Sequence, residues 1–176
     1  VAGNLNLGSY KIDQNGDGEI QVSEALLVGR IDVSESNIND LTGIEQFVNL
    51  KHLLCSNNQI ASLNVIPFNN LTVLYCDHNL LTSLDISMLG NIEQVRCNSN
   101  LLTSLDASGL ISLTSLHCQS NQINNLNLNG LVNLAFLDCK INQLSNINFS
   151  GLTNLTMVFC GVNLFTNLDV SGLTGI

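Results

Sequence analysis

Residues 113–133 read LTSLHCQSNQINNLNLNGLVN, and this stretch decides the fold. Leu113, Leu116, Cys118, Asn121, Ile123, Leu126, Leu128 and Leu131 stand at offsets that recur along the chain. The six cysteines, Cys55, Cys76, Cys97, Cys118, Cys139 and Cys160, are separated by five equal gaps of 21 residues. Asn follows each Cys three places later, at Asn58, Asn79, Asn100, Asn121, Asn142 and Asn163. Leu53, Leu74, Val95, Leu116, Leu137 and Val158 stand two places before it. Written out, the unit is L-x-x-L-x-C-x-x-N-x-[LI]-x-x-L-x-[apolar]-x-x-[LF]. A fixed period of this length marks a repeat architecture, in which a single unit cannot bury its apolar face and neighbours must stack.

Each unit suggests its own local structure. Leu116-His-Cys118 alternates in–out–in, the signature of a short strand. Stacked units set such strands side by side in parallel, about 4.8 Å apart, over a column of Leu. The Asn stands where the chain leaves the sheet, so its amide is expected to satisfy backbone groups of the turn and of the next coil. Residues 83–87, 104–108, 125–129 and 167–171 also alternate, which predicts a second extended segment on the opposite side. Gly109, Gly130, Gly151 and Gly172 follow these segments and permit a return turn, with Pro67 in that slot of the first Cys unit.

The pattern resembles the leucine-rich repeat, in the short bacterial variety with Cys at the third Leu place, and is similar to the surface repeats of internalin-like proteins. The resemblance covers about residues 31–176. An earlier unit begins at Ile31, with Val33 in the Cys slot and Ser36 in the Asn slot. The resemblance implies a leucine-rich-repeat solenoid of about seven coils. It would have a parallel β-sheet on the concave face, short extended or 3-10 segments on the convex face and little α-helix. Residues 1–30 would then form a separate N-terminal cap. It also implies a secreted or cell-surface bacterial protein. Further repeats and a sorting or anchoring domain would follow residue 176, where an uncapped apolar end is open to end-to-end pairing with another copy.

Composition narrows the partners. Of 176 residues 45% are apolar and only 11% charged, which excludes a solvated disordered chain. The net charge of -9 disfavours nucleic acid or an anionic membrane as a partner. No apolar run reaches the roughly 18 residues that a membrane span needs. The chain opens Val-Ala-Gly-Asn without an initiator Met, as expected of a processed or excised piece. The acidity is local: residues 1–45 hold eight of the fourteen acids against Lys11 and Arg30.

Residues 13–24, DQNGDGEIQVSE, fit D-x-[DN]-x-[DN]-G-x5-E without exception and resemble an EF-hand-type calcium loop. The resemblance implies Ca2+ held by side-chain oxygens of Asp13, Asn15 and Asp17, by the main-chain carbonyl of Glu19, by Gln21 directly or through water, and by a bidentate Glu24. Gly18 would allow the sharp turn and Ile20 would pin the loop to the core. The bland alternative is a solvated acidic turn. Residues 1–10 do not read as an incoming helix, whereas residues 23–30 read as a short exiting one. Calcium would then be structural, with Leu26, Leu27 and Val28 covering the apolar end of the first coil.

Six cysteines invite a disulfide reading. In-register neighbours, however, would hold Cβ atoms about 5 Å apart, beyond the usual roughly 3.5–4.5 Å. Val33 in the same slot marks the position as small and apolar, so free buried thiols are expected, and zinc is not.

The inward columns repeat and the outward ones do not. Tyr75, Arg96, His117, Asp138 and Phe159 form the outward column before each Cys, and Phe136 and Met157 lie in the column two residues earlier. Tyr and Arg are frequent interface anchors. These residues are the candidate partner-binding face for an extracellular protein or glycan; otherwise the apolar group Phe136, Met157 and Phe159 would meet further repeats. Ser115, His117 and Asp138 fall close together, but a flat sheet face offers neither oxyanion hole nor shielded pocket, so a noncatalytic adhesion or recognition module is expected. A structural spacer that displays another domain is the alternative.

Overall fold

The computed structural model describes residues 12–173. Each unit contributes one three-residue strand to a single parallel sheet. The strands are β1 (Arg30–Asp32), β2 (His52–Leu54), β3 (Val73–Tyr75), β4 (Gln94–Arg96), β6 (Ser115–His117), β8 (Phe136–Asp138) and β9 (Met157–Phe159), in that spatial order. The register follows the repeat: Leu53, Leu74, Val95, Leu116, Leu137 and Val158 align in one column. The result is a leucine-rich-repeat solenoid of about six turns with the sheet on its concave face. A one-residue slip would turn every Leu outward, so the period specifies the register strongly.

The opposite side is less regular than expected. Only β5 (Ser104–Asp106) and β7 (Asn125–Asn127) pair as strands there. Residues 83–86 keep the alternation, with Leu84 and Ile86 buried, but form no ladder. Residues 167–170 are not strand either, and Val170 is exposed. Gly109, Gly130 and Gly151 turn the chain at φ 75°, 82° and 82°. Gly172 serves differently from expectation: a Cβ there would lie 2.8 Å from the Phe149 carbonyl oxygen, so the constraint is space.

The core is the stacked inward columns. Leu50, Leu53, Leu71, Leu74, Leu113, Leu116, Leu134 and Leu137 are fully buried. The thiols of Cys55, Cys76, Cys97, Cys118 and Cys139 are buried and free, and Cys160 is free but partly exposed. Burial pushes the Cys55, Cys97 and Cys139 thiols up to about 12, and Cys76 and Cys118 well above the ordinary thiol value. These groups stay protonated and unreactive as small apolar filler.

The repeated Asn locks the coils, with one correction of direction. Asn79 Nδ2 donates to the carbonyls of Cys55 (2.9 Å), Cys76 (3.1 Å) and Asp77 (3.2 Å), while its Oδ1 accepts from the Ile60 N–H at 2.9 Å. The neighbour it serves is the preceding coil, to which Cys55 and Ile60 belong. Asn100 repeats the set one coil on, with Cys76, Cys97, Asn98 and Leu81. In the first coil Asn58 Oδ1 accepts from the Ser36 and Ile38 N–H groups, so Ser36 needs no amide in its own slot.

A further repeated feature was not read from the sequence. The residue two places after each Cys is left-handed: Asn57, His78, Ser99, Ser120, Ile141 and Val162 have φ between 53° and 57°. Asn and His tolerate this conformation, and two of the six carry that signal. Ile141 and Val162 are β-branched and strained there.

Candidate recognition face and N-terminal loop

Parallel pairing brings the outward side chains of adjacent strands within contact. Tyr75 of β3 lies under Arg96 of β4, with the guanidinium carbon 4.4 Å from the ring centroid. The Tyr75 hydroxyl donates to Gln94 Oε1 at 2.6 Å, which fixes the ring under Arg96. Across β6 and β8, His117 stacks on Phe136 at 4.5 Å between centroids and an interplanar angle of 26°. Phe136 in turn meets Phe159 of β9 at 5.8 Å. Lys140 Nζ stands 5.7 Å from the Phe159 ring and 3.1 Å from Asp138 Oδ2. Five of the seven candidate residues therefore form two contact groups, Tyr75–Arg96 and His117–Phe136–Phe159, whose central members Arg96 and His117 are register partners.

Asp138 and Met157 stand apart from these stacks. The Asp138 carboxylate is buried and taken by Lys140, whose side chain pairs with Oδ2 and whose N–H donates to Oδ1. It is thus part of a local pair more than a free contact group. Met157 is exposed at the outer edge of β9. Ser115, His117 and Asp138 make no hydrogen bond with one another among the described residues, since His117 is held by Phe136 and Asp138 by Lys140. Burial first, and then the Arg96 charge, hold the His117 imidazole below its ordinary value.

Gln119 and Lys140 stand in the outward column just after each Cys, and neither was among the candidate binding residues. Lys140 lies beyond the strand yet reaches back to Asp138 and Phe159. Gln119 Oε1 is buried without a donor among the described residues. Neither follows from the column pattern, because each depends on how a long side chain folds over its neighbour.

The N-terminal loop is closed by its own acids. Gly16 and Gly18 turn it at φ 78° and 87°. Asp13 Oδ1 accepts from the Gly16 N–H at 2.7 Å and Oδ2 from the Gly18 N–H at 3.1 Å. Glu24 Oε1 accepts from Gln14 and Asn15, and Oε2 from Gln21 at 3.0 Å. Asn15, Asp17 and Gln21 form a second group: Asn15 Nδ2 donates to Asp17 (2.9 Å) and Gln21 (3.1 Å), and Gln21 Nε2 donates to Asp17 at 2.6 Å. The Glu19 N–H donates to Asp17 Oδ1 and, as the leading cause, lowers the Asp17 pKa. No three His, Cys, Asp or Glu side chains converge on one point among the described residues; the loop's oxygens are mixed carboxylate and amide. Asp13 and Glu24 are nevertheless buried, at 8% and 7% exposure, and neither has a cationic partner among the described residues.

The residues that cover the first coil differ from expectation. The exiting helix is α1 (Val22–Ala25), one turn only. Ile12, Ala25 and Val28 are buried, whereas Ile20, Leu26 and Leu27 are exposed. The helix ends before Leu26 and Leu27 can rotate inward, so the apolar pin is the residue just before the loop. Asn49 Nδ2 donates to the Leu26 carbonyl at 2.9 Å, tying the cap to the array. Residues 1–10, read as lacking a helix, lie outside the described residues.

This geometry defines a leucine-rich-repeat solenoid, internalin-like in its 21-residue period. Internalin C2 from Listeria monocytogenes is 25% identical over 89% of this chain and 70% of its own, with a TM-score of 0.75. Internalin InlF from the same organism is 21% identical over 89% of this chain and 54% of its own, with a TM-score of 0.65. The functional domain of InlJ from Listeria monocytogenes, described as including a cysteine ladder, is 28% identical over 89% and 49%, with a TM-score of 0.48. This chain thus spans about half the length of that domain. No family model and no curated protein matches. No helix among the described residues is long and apolar enough to cross a membrane.

Proposed function

We propose that the chain is a noncatalytic recognition module of a secreted or surface-exposed bacterial protein, binding an extracellular protein through the concave sheet. One observation carries this reading. In an array whose inward columns repeat, the outward residues Tyr75, Arg96, His117, Phe136 and Phe159 break the repeat and pack against each other. Preordered aromatic and Arg side chains on an open face lose little freedom when a partner covers them. The test is a binding screen of the folded domain against arrays of extracellular proteins and glycans. The variant Tyr75→Ala, Arg96→Ala, Phe136→Ala runs beside it. A protein ligand lost in the variant is expected; a glycan hit would move the ligand class, and no hit from either array would leave the spacer role.

The N-terminal loop is proposed to hold Ca2+. Two buried carboxylates without a cationic partner among the described residues support this, because a bound cation would offset the cost of burying their charge. Asp13, Asp17 and Glu24 would supply carboxylate oxygens, Asn15 and Gln21 amide oxygens, and Glu19 its main-chain carbonyl. The Asn15 and Gln21 amides must release Asp17 for this. The ion would supply charge neutralisation only, and the chain's own residues would carry that order through Glu24 into α1 and Ala25.

A further inference from the structure

Arg96 is singular among the basic side chains of the sheet. All four described Lys and Arg residues lie in or beside its strands: Arg30 in β1, Lys51 just before β2, Arg96 in β4 and Lys140 just after β8. The opposite side carries Asp85, Asp106 and Asp169, and no Lys or Arg among the described residues. Arg30 is paired with Asp32 at 3.3 Å and Lys140 with Asp138. Lys51 stands outside the aromatic stripe. Arg96 is exposed, lies over Tyr75, and has no carboxylate or other hydrogen-bond acceptor among the described residues. Its guanidinium is therefore oriented by the ring while its N–H edge stays free, which suits a carboxylate.

The apolar surface lies at a fixed distance from that fork. β4, β6 and β8 are successive neighbours and Phe136 stands two residues earlier in register than Arg96, so the two are separated by two strand spacings and a two-residue step, roughly 12 Å. An extended chain covers this distance in about four residues at its maximum rise of roughly 3.3–3.6 Å each. His117 bridges the gap as a ring stacked on Phe136, offering a flat apolar floor between the two. Acids stand beside the same strands, Asp32 in β1, Asp77 after β3, Glu93 before β4 and Asp138 in β8, so a partner's carboxylate would be admitted by Arg96 itself and not by a net positive sheet.

We infer that the concave face takes an extended polypeptide segment that carries an acidic side chain about four positions from a bulky apolar one. The carboxylate seats on Arg96 and the apolar group on Phe136 and Phe159, with the segment running across the strands. This rests on the recognition role proposed above and names the chemistry of its partner.

The test uses a phage library of random dodecapeptides, selected in calcium buffer on the wild-type chain, on Arg96→Gln and on the Tyr75→Ala, Arg96→Ala, Phe136→Ala variant. The wild type is expected to enrich peptides with Asp or Glu about four residues from Phe, Leu, Met or Trp. A synthetic peptide of that pattern should bind Arg96→Gln about 10- to 100-fold more weakly, the value of a hydrogen bond to a charged group. Arg96→Lys should fall between, keeping the charge and losing the fork. On the wild type alone, added salt should weaken that peptide more than its Glu→Gln analogue, a readout independent of any variant's folding. Peptides lost on the triple variant but lacking acids, or unaffected by Arg96→Gln, would overturn the inference and leave recognition by this face standing. No enrichment over the triple variant would overturn both.

Discussion

The loop at residues 13–24 and the turns of the coils solve one problem with different chemistry. Both must satisfy backbone N–H and carbonyl groups where the chain reverses without a ladder. The coils use a neutral amide: Asn100 supplies donors to three carbonyls and an acceptor to one N–H, and no net charge is buried. The loop uses carboxylates: Asp13 and Glu24 accept five backbone N–H bonds. A neutral lock is complete in itself and can be copied coil after coil. A carboxylate lock has no cationic partner among the described residues, so the proposed cation would be sought at this loop and not at the Asn column.

The comparison can be broken at its strongest point first. Asn100→Leu removes the amide and leaves the Leu81 N–H and the Cys76 and Cys97 carbonyls short of partners. Unsatisfied buried groups cost about 1–3 kcal/mol each, so a loss of about 2–4 kcal/mol is expected after partial relaxation, read from urea midpoints in calcium. A loss below about 1 kcal/mol would mean that the Asn column does not lock the coils.

Calcium sharpens the contrast next. With free calcium at about 100 times its dissociation constant, the wild type should gain about 2.7 kcal/mol over chelator. Glu24→Gln should lose most of that gain, while Asn100→Leu should keep it. Identical unfolding midpoints in calcium and in chelator would reduce the loop to a solvated acidic turn.

Strain gives a smaller effect of opposite sign. Ile141 sits at φ 54° in the slot that Asn57 fills in the first Cys coil. Ile141→Asn should stabilise by about 1 kcal/mol, the usual cost of that conformation for an L side chain, because half-exposed Ile141 loses little burial. A lower melting temperature in the variant would show that Ile141 packs more than it strains.

The smallest effect concerns pH. The His117 pKa is lowered in the folded chain by burial and Arg96, so below its unfolded value the unfolded state takes up protons first. Its contribution is present above that value and is lost as pH falls through the folded one. Thermal unfolding at pH 7.5 and at pH 5.5 should show a larger loss for the wild type than for His117→Gln. Equal losses would place the acid sensitivity in the carboxylates alone.

What the residues disclosed in advance tracks how local the cause was. The strands, their parallel order and the inward Leu and Cys columns were legible because a 21-residue period leaves one register that buries them. The left-handed residue after each Cys was half legible, since Asn57 and His78 announce it and Ile141 hides it. The cap was legible as an apolar plug of Leu26, Leu27 and Val28, of which Val28 is buried, whereas the short α1 leaves Leu26 and Leu27 outside and puts Ile12 and Ala25 inside. Arg96 and Phe136 were readable as outward residues, but their partners were not.

The sequence by itself determined the solenoid, its register and the composition of its core, because periodic apolar burial has a single stacked solution. Only the tertiary structure decided that Asn79 serves the coil behind it, that Lys140 closes on Asp138, and that Arg96 lies over Tyr75. Those contacts join residues about one repeat apart or fold a long side chain over its neighbour, and their existence depends on three-dimensional placement that no spacing encodes.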